Sequence, residues 1–207
     1  AFAAPLVATS ANISGEPVLT ENGDVEKRLA HVAQACLHHD RPIERPADDP
    51  VYRTIAGKPR PIRLGRGVAP CELVLPFALE KPVLALGAHM KNTVAIGMSG
   101  RAVVSPHIGE MDTVRSLEVF QRICRDLPAL YRTEVEWLVC DAHPAYPTSR
   151  WARRDGRPLV EVHHHQSTGL AGPREHRAGV GHRALEIEPQ AGGREERRVH
   201  QMERDLQ

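Results

Sequence analysis

Three consecutive histidines, His163, His164 and His165, close the apolar run at 158–162. Neutral imidazole is a good ligand for zinc or iron. Histidines that share a metal on a helix need a spacing of three or four, and the residue four after His163 is Ser167. A mononuclear site needs three or four ligands, so this run does not complete one by itself. Asp141 and His143 lie in Cys140-Asp-Ala-His-Pro-Ala-Tyr146, and His107 lies in Ser105-Pro-His-Ile-Gly-Glu110. Both stretches follow strand-like runs, and sites in α/β sheets gather at the carboxyl ends of strands. Asp141 could bind a metal or act as a base. It could equally cap a turn, with His143 packed by Pro144 and Tyr146.

Phosphate chemistry has three further candidates. Thr9-Ser-Ala-Asn-Ile-Ser-Gly15 offers the hydroxyls of Ser10 and Ser14, the carboxamide of Asn12 and a glycine that lets backbone approach a ligand. The same residues also make an ordinary self-bonded turn. Arg53, Lys58, Arg60, Arg63 and Arg66 form a basic run, and arginine forks bind phosphate bidentately. A solvated charged strand face is the alternative there. Lys91 and Asn92 sit in a short connection beside Gly87. They suit either a nucleotide phosphate or a plain hairpin turn.

These residues must be positioned by an α/β framework. Pro5–Thr9 reads as a buried strand with nothing before it, which predicts missing upstream sequence. Residues 24–37 carry Val25, Leu29, Val32, Cys36 and Leu37 at helical spacing, with Asp24 as cap. Short strands are expected at 51–56 and 60–64, and 67–81, with Pro70 and Pro76, reads as a linker. Then 83–88, 93–98 and 102–105 read as a three-stranded antiparallel meander. A helix follows at 112–127, capped by Asp112 and stopped by Pro128, then strands at 135–140 and 158–162. From 166 to 207, Leu, Ile, Val and Phe fall below the roughly 20% needed to offset chain entropy, so this tail reads as disordered.

Composition narrows the function classes. The chain has 207 residues, 41% hydrophobic and 26% charged, which leaves room for a core in one or two domains. Aromatics are only 4%, so that core is mainly aliphatic. A net charge of +1 gives no global field to hold nucleic acid or an anionic membrane. No run of about 18 apolar residues exists, which excludes a membrane-spanning helix. Cys36, Cys71, Cys124 and Cys140 form no CxxC pair, and single cysteines at apolar positions fit buried, reduced thiols in a cytoplasm.

The motifs gain meaning from their order. Thr-Ser-Ala-Asn-Ile-Ser-Gly-Glu-Pro (9–17), His-Asp-Arg-Pro-Ile (39–43) and Asp-Asp-Pro-Val (48–51) come first. Ile-Arg-Leu-Gly-Arg-Gly-Val-Ala-Pro (62–70), Leu-Gly-Ala-His-Met-Lys-Asn-Thr (86–93) and Ser-Pro-His-Ile-Gly-Glu (105–110) follow. Asp-Ala-His-Pro-Ala-Tyr (141–146) and Val-His-His-His (162–165) close the series. Taken together, over about 5–165, they closely resemble the HypF family, carbamoyltransferases of [NiFe]-hydrogenase maturation. The resemblance implies the C-terminal part of a YrdC-like α/β domain at 1–75. It also implies the first half of a TsaD-like domain of the ASKHA (actin and Hsp70-type ATPase) class at 76–165, with a divergent tail at 166–207.

The implied chemistry is formation of carbamoyl-adenylate from carbamoyl phosphate and ATP, then transfer of the carbamoyl group to the C-terminal cysteine of the partner HypE. By position, Ser10, Asn12 and Ser14 would contact the nucleotide, Arg63 and Arg66 phosphate, and Lys91 and Asn92 the nucleotide side of the second domain. His163 would be a ligand to zinc or iron. The resemblance assigns no catalytic residue, and it implies a partial chain that is inactive alone. Departures stand out. The family pattern Arg-Arg-Ser/Ala-Arg-Gly-Tyr/Phe is Arg63-Leu-Gly-Arg-Gly-Val68 here. The metal motif His-His-His-Ala-His continues here as Gln166 and Ser167. A rival expectation of another class is a YrdC-type fragment that binds nucleotide or double-stranded RNA without turnover.

Overall fold

A computed structural model describes residues 3–164. The expectations for a tail at 166–207, and for His165, lie outside the described residues. The elements run α1 (Asn22–Leu29), β1 (Val51–Ile55), β2 (Lys58–Arg63), β3 (Cys71–Ala85), β4 (Ala95–Val104), α2 (Val114–Leu130), β5 (Trp137–Asp141), α3 (Pro147–Asp155) and β6 (Leu159–Val162). The architecture is mixed α/β, as expected. β1 and β2 form an exposed antiparallel ribbon. The other strands form one sheet in the order β4-β3-β5-β6.

The chain reverses within β4. Val94 and Ser105 flank that element, yet Ser105 N–H donates to Val94 O at 2.7 Å and Val94 N–H donates to Ser105 Oγ at 2.9 Å. A straight strand of that length would hold its ends roughly 30 Å apart. The turn falls at Ser99, where φ is +50°, beside Gly100. One limb, Ala95–Gly97, pairs with Val83–Ala85; the other, Arg101–Val104, pairs with Cys71–Val74. The meander expected over 83–88, 93–98 and 102–105 is therefore present.

The linker expected at 67–81 is corrected. β3 runs from Cys71 through Pro76 to Ala85 and clasps both limbs of β4. Pro76 is tolerated because the register slips between Val74 and Leu79, a bulge where no ladder bond is lost to the missing N–H. The strand expected at 5–9 does not form: Leu6 and Val7 lie exposed. α1 stops at Leu29 rather than 37. Val32 and Leu37 find no apolar surface to cover and stay exposed, so the helical stripe gains nothing by continuing.

α2 obeys its periodicity. Phe120, Ile123, Cys124 and Leu127 are buried against Leu84, Ile96 and Leu138 in one cluster, with Phe120 the largest fully buried side chain. Its cap is Thr113, not Asp112: Thr113 Oγ1 accepts Ser116 N–H at 3.1 Å. Pro128 does not stop the helix. It sits buried in the last turn, and the helix runs on past it to Leu130. α3 was not expected from the sequence. It starts with Pro147 at the first turn and ends at Gly156, whose φ of +92° supplies a left-handed cap.

Candidate functional site

β3, β5 and β6 run parallel, so their carboxyl ends open on one edge of the sheet. Of the residues expected to do chemistry, Asp141 and His143 lie there with His164. Asp141 ends β5 and is buried; its Oδ1 accepts the His143 N–H at 2.8 Å. Its Oδ2 lies 3.3 Å from His164 Nδ1. Ser149 Oγ donates to the Asp141 carbonyl at 2.6 Å and ties α3 to the same corner. Tyr146 is stacked by two imidazoles: His143 at 4.2 Å and His89 at 5.3 Å between ring centroids. His89 Nε2 sits 3.0 Å from Asp112 Oδ1, while its Nδ1 is buried without a partner. The packing of His143 on Tyr146 is the structural alternative the sequence offered, and the Asp141 carboxylate caps that turn as the same alternative expects; the second imidazole, His89, was not anticipated.

The loop leaving β3 is held by Asn92. Asn92 is buried, and its Nδ2 donates to Leu86 O at 3.0 Å and Ala88 O at 2.9 Å. Its own backbone bonds Gly109 and Ile108. The wrap is so close that a Cβ on Gly87, where φ is +65°, would stand 2.6 Å from Thr93 O. Asn92 thus spends its donors inside the protein, and the exposed Lys91 beside it, at φ +50°, is the group the loop presents. Thr148 Oγ1 also donates to Ala88 O at 3.1 Å.

Among the described residues, no three His, Cys, Asp or Glu side chains gather as metal ligands. Asp141 and His164 alone do not fit zinc or iron, which need three or four donors. Of the four cysteines expected to be buried, Cys124 and Cys140 are, whereas Cys71 is half-buried and Cys36, beyond the end of α1, is exposed. Burial pushes Cys124 up to about 12 and raises Cys140, against a smaller opposing effect of the Ser149 hydrogen bond at Cys140.

The first segment holds its candidates apart from that edge. Ser10 Oγ bonds the Asn12 carboxamide, and Asn12 Nδ2 donates to Ile13 O at 3.1 Å and Glu16 O at 3.0 Å. The stretch is a self-bonded turn, with Ser14 exposed at its tip and Gly15 at φ +80°. Arg63 Nε donates to Asp49 O at 3.0 Å, and Arg66 pairs with Asp49 Oδ1 at 2.8 Å in full view of solvent. Gly65 packs against the same strand of backbone: a Cβ there would land on the Asp48 carbonyl. Among the described residues no hydrogen bond or ion pair joins the Ser10–Gly15 turn to Arg63 or Arg66.

A charged seam joins the first segment to α2. Arg115 donates to Val18 O at 3.1 Å and faces Asp24 at 3.7 Å. Arg122 pairs with Glu44 at 2.6 Å, and Arg45 with Asp126 at 3.1 Å. His107 Nδ1 meets Asp48 Oδ2 at 2.8 Å, and its N–H donates to Leu64 O at 2.8 Å. Positions 115, 122 and 126 fall on one helix face.

Comparison with known proteins gives the arrangement a family. The family described as "HypF Kae1-like domain" matches residues 78–172, and the Sua5, YciO and YrdC family, described as "Telomere recombination", matches residues 1–65. The carbamoyltransferase HypF of Synechocystis sp. is 40% identical over 172 residues, 83% of this chain and 22% of that protein. That of Rhizobium leguminosarum bv. viciae is 38% identical over 162 residues, 78% of this chain and 21% of that protein. The chain belongs to the HypF family. The crystal structure of full-length HypF in its phosphate- and nucleotide-bound form superposes with a TM-score of 0.72 at 31% identity, over 77% of this chain and 25% of that one. HypF of T. kodakarensis gives 0.70 at 32% identity, over 77% and 22%. The chain therefore spans about a fifth to a quarter of the length of the HypF proteins it matches. Within the family, its described residues join a YrdC-like segment to a Kae1-like one.

Proposed function

We propose that the chain contributes to an ATP-dependent carbamoyltransferase of [NiFe]-hydrogenase maturation. In this reading residues 1–75 belong to the YrdC-like unit and residues 76–165 to the TsaD-like unit. The first forms carbamoyl-adenylate from carbamoyl phosphate and ATP; the second passes the carbamoyl group to the C-terminal cysteine of HypE, in the cytoplasm. The observation that carries the reading is the match of both segments, in this order, to HypF proteins at 38–40% identity.

The geometry suits particular roles. Arg66 has Asp49 as an exposed anionic partner, and at a solvated site one anion exchanges for another at little cost. A phosphate that displaced Asp49 would take the fork bidentately, with Arg63 beside it. Positive forks there offset charge that builds on the reacting phosphate. Ser14 is free at the turn tip to donate to nucleotide oxygens, while Ser10 and Asn12 hold the turn. Lys91 would meet nucleotide in the second unit, and Asn92 would fix the loop that carries it. His163 would be the ligand position for zinc or iron, a site the described donors do not complete.

A second reading has one observation in its favour. Arg53 lies directly opposite Arg60 across the exposed β1–β2 ribbon. Like charges so placed repel unless an anion sits between them, which suits a nucleotide or double-stranded RNA bound without turnover. A chimera separates the readings. Residues 3–164 replace the matching span of the full-length Synechocystis protein, and carbamoyl-phosphate-dependent ATP–pyrophosphate exchange is measured. Exchange that is lost on Arg63→Ala/Arg66→Ala supports the enzyme. A folded chimera that binds RNA salt-sensitively and shows no exchange sinks it.

A further inference from the structure

α2 and α3 leave a surface groove of about 290 Å³ between them, lined by Leu117, Gln121, Pro147, Arg150, Trp151 and Arg154. Its floor is apolar and stiff: Trp151 packs edge-on against the buried Phe120, 5.5 Å between centroids at 86°. Its rim is cationic. Arg150 and Arg154 stand one helical turn apart, both exposed, and neither has an acidic partner among the described residues. The neighbouring arginines differ. Arg153 is matched by Glu161 at 2.6 Å, Arg157 by Asp155 at 2.5 Å and Arg122 by Glu44 at 2.6 Å. Arg125, two turns along α2 from Leu117, is likewise exposed and without an acid.

We propose that this groove is a docking surface for an acidic protein segment carrying an aliphatic anchor. The anchor seats on Trp151 between Leu117 and Pro147, and carboxylates on either side engage Arg150 and Arg154. Three observations converge. An apolar centre with a polar rim is the anatomy of a protein interface. Tryptophan and arginine are the residues that most often dominate interface energy. Both charged residues that line the groove are cationic, with the exposed Glu118 on the next face of α2, so electrostatic complementarity at the rim favours an acidic partner over a basic one. A nucleic acid would use the charge but not the apolar floor. The inference is independent of the carbamoyl chemistry, since none of these residues belongs to the strand-end corner.

The test uses the two tryptophans, Trp137 and Trp151. The probe is the capped peptide Glu-Glu-Leu-Leu-Glu-Glu, with Gln-Gln-Leu-Leu-Gln-Gln and a duplex RNA as controls. The expected result is a saturable shift of the Trp151 emission in a Trp137→Phe chain. The indole Nε1–H resonance of Trp151 reads the same event in the unsubstituted protein. Arg150→Glu/Arg154→Glu should weaken the acidic peptide at least tenfold and bind the Lys-Lys-Leu-Leu-Lys-Lys counterpart instead. Arg150→Gln/Arg154→Gln serves if the reversal variant loses its cooperative unfolding. Three outcomes overturn the proposal: no saturable response, an equal response to the glutamine peptide, or displacement only by RNA.

Discussion

Glu16 and Arg28 fasten the Ser10–Gly15 turn to α1 through contacts of 2.7 and 2.9 Å. The Arg28 hydrogen bond holds the Glu16 carboxyl below the usual carboxylate range, against a weaker upward push from burial. A group depressed in the folded state adds stability above its unfolded value, near 4.3, and loses it as pH falls through the folded one. Arg28→Gln should therefore unfold more easily than the parent at neutral pH. The difference should shrink as pH drops below about 4. Denaturant titrations at a series of pH values measure this; a gap unchanged between neutral and acid would contradict it. Asp155, lowered chiefly by its Arg157 hydrogen bond, predicts the same shape for Arg157→Gln. At this scale the sequence was informative about residue types and poor on pairing. Asp141 was legible as a strand-end acid, but its pairing with His164 depends on where β6 stops. Asn92 was legible as a loop residue; that its amide faces inward follows from the tightness of the wrap at Gly87.

The elements repeat the lesson on a larger scale. α2 was readable because its apolar positions recur every three or four residues, which is the signal least disturbed by context. Its cap was misassigned because Asp112 and Thr113 are both good capping types. Only the structure shows that His89 takes the first and Ser116 N–H the second. Thr113→Ala should cost about 1 kcal/mol of stability, with Asp112→Ala costing less; chemical unfolding ranks the two, and the reverse order would refute the assignment. β3 was hidden by its prolines, since local rules forbid regular structure where a tertiary bulge in fact absorbs the missing donor. α3 was hidden by its polarity, with three arginines masking Pro147 and Gly156 as start and stop. The charged stripe of α2 carries a further expectation. Arg122→Glu should loosen the seam with 17–48, and Glu44→Arg in the same chain should restore it. Both effects are small and vanish in high salt, as exposed pairs do. Amide exchange in the 40–50 stretch reports this. Failure of the double variant to recover protection would show that the Arg122–Glu44 contact does not hold the seam.

For the whole molecule, the question is whether the YrdC-like and Kae1-like segments stand as one cooperative unit. Three features bind them. β3 begins at Cys71, close after the first segment, and adds its first limb to the outer side of the β4 hairpin. The His107–Asp48 contact and the His107 N–H bond to Leu64 O pin the 48–50 and 64–66 backbone to the loop after β4. The α2 seam then closes the other side. The core cluster is drawn from residues 84–152, so the first segment is joined to it by these contacts; within it Phe120 packs with Leu84 of the sheet and edge-on against Trp151 of α3. Phe120→Ala should cost about 3–5 kcal/mol, because it removes the largest buried side chain and leaves a cavity the sheet cannot close. If the segments are coupled as the contacts require, that loss appears in the first segment too. Amides at Leu19 and Arg66, both bonded within the first segment, should exchange through the same global opening as Leu138 in β5. The expected record is one unfolding transition that moves as a whole to lower denaturant with unchanged slope. Two transitions in the parent chain, or a Phe120→Ala chain in which Leu138 is deprotected while Arg66 is not, would mean that the seam and clasp join independent units.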